Sequence, residues 1–128
     1  MKFKALMLGA FMAVAACATT TPAAAWTQLG VREVRDRTER DTIAVEGRRQ
    51  FERIKLCVYR NPVHFIDLDV RYRNGGHQDV SVRQRVNPGE CTRAIDLNGA
   101  DRDIVSVSML YEETSFRRRT ATVRLFGE

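Results

Sequence analysis

The sequence predicts an all-β protein, an antiparallel β-sandwich of about eight strands. Past residue 25, short runs alternate apolar with polar residues, as strands with one buried face do. Turn clusters separate these runs at roughly even spacing: Asn61-Pro62, Asn74-Gly75-Gly76, Asn87-Pro88-Gly89 and Asn98-Gly99. No stretch of that part repeats its apolar residues with the period of a helix. Long strands alternating with turns favour a jelly-roll-like order, and an immunoglobulin-like sandwich is the alternative.

In chain order, Trp26 to Val34 reads as an edge strand with Leu29 and Val31 inward, and RDRTERD (35–41) as a charged loop. DTIAV (41–45) is the second strand, and EGRRQ turns it into the central pair. In the third, Ile54, Leu56 and Val58 share a face. The fourth follows Asn61-Pro62 with Ile66, Leu68, Val70 and Tyr72 on one face and Asp67, Asp69, Arg71 and Arg73 on the other. The Asn-Gly-Gly turn supplies the positive φ that a tight hairpin requires. QDVSVRQRV (78–86) then sends Val80, Val82 and Val86 inward. CTRAIDL (91–97) is the sixth strand. IVSVSMLY (104–111) is the seventh, with Val105, Val107, Met109 and Tyr111 on one face. A polar loop over 112–120 leads to the closing ATVRLFG.

The first 25 residues have the layout of an export signal. Lys2 and Lys4 precede an apolar run from Leu6 to Ala16, and a small-residue tail ends in Ala23-Ala24-Ala25. Cleavage between Ala25 and Trp26 leaves one domain, residues 26–128, periplasmic or secreted. The alternative is a lipobox, VAAC ending at Cys17, which would make the protein a membrane-anchored lipoprotein. The apolar run is shorter than the roughly 20 residues that span a bilayer, so no transmembrane span is expected in the mature chain. In an exported chain Cys57 and Cys91 read as a structural disulfide, two buried free thiols being the other reading.

Removing Lys2 and Lys4 leaves 19 basic residues against 16 acidic ones, a net of +3. The two signs interleave, which argues against a nucleic-acid partner. Asp67 and Asp69 fall on one strand face, about 7 Å apart by strand rise. They are the one pair suited to general acid–base work, but Arg71 and Arg73 continue that face as compensating charge. His64 and His77 lie near opposite ends of the fourth strand and do not converge on a metal. No serine stands in a nucleophile elbow and no glycine loop suits a phosphate or cofactor. No catalytic residue, metal or cofactor is therefore expected. The candidate binding loops are GADRDI, with Asp101 and Arg102, and the basic run Arg117, Arg118 and Arg119.

QLG near residue 28, RDTIAV, RIKL, NPGECTRAIDL, DIVSVSMLY and the closing ATVRLFG together resemble a family of small exported bacterial proteins of unknown function, one member being an enterobacterial periplasmic protein. The resemblance covers most of residues 28–127. It implies an exported β-rich domain with no assigned activity and carries no functional residues. The resulting expectation is a non-catalytic binding or envelope-associated module, with an envelope protein or an anionic envelope component as partner. The alternatives are a small periplasmic hydrolase using Asp67 and Asp69, or a structural envelope protein that self-associates through its β-edges.

Overall fold

The computed structural model describes residues 25–35, 38–47, 50–99, 102–113 and 120–128. They form nine strands: β1 (Thr27–Val34), β2 (Thr38–Ala44), β3 (Gln50–Phe51), β4 (Arg53–Tyr59), β5 (Val63–Tyr72), β6 (His77–Val86), β7 (Ile95–Asp96), β8 (Arg102–Glu113) and β9 (Ala121–Gly127). Two antiparallel sheets pack face to face. One has the order β1-β9-β4-β7 and the other β2-β8-β5-β6, with β3 paired to the start of β8. With the two-residue β3 set aside, only β5 and β6 are both consecutive and paired; every other step carries the chain to the opposite sheet. That is the jelly-roll order, two interlocked Greek keys.

Ile54, Leu56 and Val58 from β4 and Val123 and Leu125 from β9 meet Phe65, Leu68, Val70, Val107, Met109 and Tyr111 from the facing sheet, all of them buried. The Asn-Gly-Gly turn closes the β5–β6 hairpin as expected. Gly75 has φ 94°, and the Gly76 amide donates to Asn74 Oδ1 at 2.9 Å. Asn61-Pro62, by contrast, joins strands of different sheets, and Asn61 Nδ2 anchors the crossing by donating to the Thr120 carbonyl at 2.7 Å.

Several facings differ from strict alternation, and bulges account for them. On β1 the register to β9 slips between Gln28 and Gly30. Val31 therefore points out, 48% exposed, while Val34 is buried. On β5 the register slips between Phe65 and Asp67, so Val63 and Phe65 join Leu68 in the core and Ile66 becomes the half-buried extra residue. Opposite it, Arg83 on β6 takes a positive φ of 47°. A third slip, between Arg71 and Tyr72 against β8, buries Ile104 in place of Val105. Each bulge absorbs one residue where the sequence breaks its alternation, and the flanking apolar residues still reach the core.

Two segments depart from the expected elements. The chain enters β2 at residue 38, so most of the expected loop over 35–41 is strand, and its polar residues fit because β2 is a sheet edge. The expected sixth strand is largely irregular. It keeps β7 and an isolated bridge at which Cys57 and Cys91 lie directly opposite. A disulfide joins those two cysteines across 34 positions of sequence. Beside it, Thr92 is buried and its hydroxyl accepts from the Leu56 amide at 3.1 Å, so the side chain stands in for a missing ladder partner.

Gly30 brings the two edge strands together, since an added Cβ would collide with the Ile43 side chain on β2. Gly30→Ala is expected to cost about 1–3 kcal/mol through overpacking, read as a lower urea midpoint. Removing the disulfide with Cys57→Ser and Cys91→Ser is expected to cost about 3–4 kcal/mol, from the loop entropy it no longer withholds from the unfolded chain. Unchanged midpoints would contradict these roles.

Candidate functional site

The sandwich presents two outer sheet faces of different chemistry. On the face of β2-β8-β5-β6, the registers align Thr42, Ser108, Asp69 and Asp79 in one row across the four strands. Arg40, Leu110, Asp67 and Ser81 make the row on one side, and Ala44, Ser106, Arg71 and His77 the row on the other. Asp67 and Asp69 thus share the face read from the sequence, and a shallow hollow of about 420 Å³ runs past them, Arg40 and Asp79.

Asp69 is already engaged. Arg71 Nε lies 3.3 Å from Oδ2, and His77 Nδ1 is 3.1 Å from Oδ1. The Asp69, His77 and Asp79 ligand atoms all lie within 4.8 Å of one another. This convergence escaped a reading that compared the two histidines only with each other. The hairpin register contains it, because the Asn-Gly-Gly turn sets Arg71 opposite His77 and Asp69 opposite Asp79. Arg71 supplies the counter-charge to Asp69 where it faces Asp79 across the ladder, and His77 adds a hydrogen bond to the other oxygen. Arg73 does not continue this face. It turns to Asp103 Oδ2 at 3.0 Å and to the Gly47 carbonyl at 2.9 Å.

The other outer face, on β1-β9-β4, is built differently. Inward Ala121, Val123 and Leu125 leave Thr122, Arg124 and Phe126 outward on β9, and inward Ile54, Leu56 and Val58 leave Lys55, Cys57 and Tyr59 outward on β4. The register sets Lys55 beside Phe126, Cys57 beside Arg124 and Tyr59 beside Thr122. Lys55 Nζ lies 4.4 Å from the centre of the Trp26 ring and 5.9 Å from that of Phe126. The Arg124 guanidinium sits 4.7 Å from the centre of the Tyr59 ring. Neither Lys55 nor Arg124 has a carboxylate partner among the described residues, whereas Arg60 nearby faces Glu33 at 3.5 Å. Val31, the large apolar residue left exposed, lies on the same face in register with Arg124. This stripe of cations on aromatic rings was not singled out from the sequence, although the outward positions of two well-read strands supply most of it.

Of the loop candidates, Asp101, Arg117, Arg118 and Arg119 lie outside the described residues, as does Cys17. Arg102 is committed to the fold. Its guanidinium lies 3.7 Å from the centre of the Tyr72 ring and donates to the Asn98 carbonyl at 2.8 Å. The Tyr72 hydroxyl in turn donates to Gln78 Oε1 at 2.6 Å, which also accepts from the Asn98 amide. These contacts fasten the turn before β8 to the β5–β6 hairpin.

A cleft of about 530 Å³ opens between the edge strands β1 and β2 over Leu29, Ile43 and Phe51. Beside it, the inward side chains of the two edges cap the core. Buried Tyr111 donates its hydroxyl to Asp41 Oδ2 at 2.6 Å, with Glu39 3.4 Å away, and Arg32 closes onto Asp41 Oδ1 at 2.8 Å. Among the described residues, no pair of groups there sets a nucleophile beside its base.

A family model described as a domain of unknown function, DUF2541, matches residues 5–127. The chain belongs to the DUF2541 family. No curated protein matches it. Among solved structures, Pseudomonas aeruginosa AlgX is similar with a TM-score of 0.51 at 16% identity, over 80% of this chain and 27% of AlgX. At that identity the likeness is one of fold alone, and this DUF2541 chain spans about a quarter of AlgX's length.

Burial, then the Asp41 and Glu39 carboxylates, push the Tyr111 hydroxyl well above the ordinary phenol range, and burial likewise raises Tyr72 against the opposing pull of Arg102. A raised folded value means stability that is fully present below the unfolded value of about 10 and lost as pH rises toward the folded one. Unfolding free energy, measured in urea from pH 8 to 11, is expected to fall above about pH 10. Tyr111→Phe should be less stable at pH 8, by about 1 kcal/mol for the lost hydrogen bond, with a shallower alkaline fall. An equal slope in both proteins would contradict the assignment.

Proposed function

We propose that this DUF2541 protein is a non-catalytic, exported binding module that meets an anionic envelope component through the outer face of β1-β9-β4. Lys55 and Arg124 carry the proposal: both lie on aromatic rings with no carboxylate partner among the described residues. A cation held on a ring keeps its charge, gives up part of its water and stays available to an anion. On the opposite face the central carboxylate, Asp69, already has a guanidinium and an imidazole against it. That pairing also weighs against Asp69 as a general base, which must be free to reach a substrate proton.

The export layout of the first 25 residues supports a location in the periplasm or outside the cell, with cleavage after Ala25 or, alternatively, a lipid on Cys17. Either route leaves residues 26–128 outside the cytoplasm.

Lys55→Glu and Arg124→Glu are each expected to weaken retention of the protein on isolated cell envelopes by about tenfold, the loss of one charge-assisted contact. Asp67→Asn and Asp69→Asn should leave retention as it is. Retention unchanged in both reversed variants, or hydrolysis of an envelope substrate that disappears in Asp67→Asn, would overturn the reading.

A further inference from the structure

We infer that the ligand of this face is an extended anionic polysaccharide; the inference rests on the binding face proposed above and specifies its partner. Three clefts, at the β1–β2 edge, along Asp67 and Asp79, and at the rim by Glu52 and Asp96, are lined by neither Lys55 nor Arg124. A small molecule needs a concavity that covers most of its surface. Cations mounted on a sheet outside those clefts suit a long ligand that gathers many shallow contacts.

The spacing and chemistry of the stripe narrow the class further. Lys55 with Trp26 and Phe126 makes one cation–ring unit, and Arg124 with Tyr59 makes a second. Lys55 and Tyr59 stand four positions apart on β4, about 13 Å by strand rise, room for more than one sugar ring. Trp and Tyr offer flat apolar area with a polar edge, which matches the C–H face of a pyranose. The Arg124 fork matches the paired oxygens of a carboxylate or sulfate. A polysaccharide with an acidic group on some of its sugars supplies both features in one chain. Single-stranded nucleic acid also stacks on rings but carries a phosphate at every residue and is held by an extended track of free cations. On this face Arg53 and Arg60 are paired with Glu128 and Glu33, and Lys55 and Arg124 are the cations on rings among the described residues. A lipid surface requires protruding apolar side chains. Among the described residues Val31 is the large apolar side chain that protrudes, while Trp26, Tyr59 and Phe126 are half-buried.

The test is calorimetric titration of the full mature chain with carboxymethyl dextran and with unmodified dextran. A deoxythymidine oligonucleotide and phosphatidylglycerol vesicles run in parallel. Carboxymethyl dextran is expected to bind at least about tenfold more tightly than dextran, and Lys55→Gln and Arg124→Gln should each lose about tenfold. Arg40→Gln, on the opposite sheet, should lose nothing, and Arg124→Lys should recover part of the affinity. Matching thermal midpoints across the set establish that the variants fold. Absence of binding to carboxymethyl dextran, tighter binding to the oligonucleotide or the vesicles, or an equal loss in Arg40→Gln overturns the inference. If charge reversal at Lys55 and Arg124 abolishes envelope retention while carboxymethyl dextran does not bind, the face stands and the polysaccharide falls.

Discussion

The pairing of β5 with β8 at the middle of one sheet sets the conditions that the rest of the molecule meets. Both strands are long, and both must bury nearly every inward side chain because β4 and β9 close over them. A one-residue slip would turn the whole apolar set of a strand to solvent. Neither strand alternates perfectly, so the ladder takes up an extra residue at Ile66 on β5 and drops the pairing of Val105 on β8. Arg83 does the same on β6 with a positive φ. Bulges also increase local twist, which a sandwich needs if two sheets are to pack over their full length. The disulfide acts where such ladder control is weakest, on the irregular segment before β7, and holds it against β4 beside the buried Thr92 hydroxyl.

The same constraint explains why the two outer faces differ. On β2-β8-β5-β6 the outward positions come from four paired strands, and some side chains find partners across the ladder: hydroxyl with hydroxyl at Thr42 and Ser108, carboxylate with guanidinium and imidazole around Asp69. On the other sheet β7 is two residues long, and the segment beside Cys57 is irregular. Lys55 and Arg124 face rings instead of acids, while Arg60 and Arg53 on that side pair with Glu33 and Glu128.

Much of this was legible in the sequence because strand periodicity is a local property. Ile54, Leu56 and Val58 are buried as expected, the Asn-Gly-Gly and Asn-Pro-Gly turns have the expected positive φ at Gly75 and Gly89, and the cysteines form the expected bridge. The facings of Val31, Ile66 and Val105 were not legible, since a bulge answers to the partner strand and not to its own residues. Nor was the fate of Arg102, which looks like a loop residue until Tyr72 arrives from β5 and the Asn98 carbonyl turns toward it from four residues back. The Asp69–His77 contact sits between these cases. A two-sided hairpin register computed from the turn yields it, whereas comparing histidine with histidine does not.

Whether a surface charge is available for binding depends on what its neighbours already supply, and the sheet order decides who the neighbours are. Lys55 and Arg124 are adjacent only because β9, the last strand of the chain, pairs with β4 from its middle. β1 then lies on β9's other side and brings Trp26 to Lys55 and Val31 beside Arg124. A hairpin would have placed β4 next to β5, where Asp67 and Asp69 lie on the outward face. The jelly-roll crossing at Asn61-Pro62 sends those carboxylates to the opposite sheet. The separation of the Asp67, Asp69 and Asp79 carboxylates from the ring-mounted Lys55 and Arg124 is thus a property of the topology, because the strands that carry them lie in different sheets.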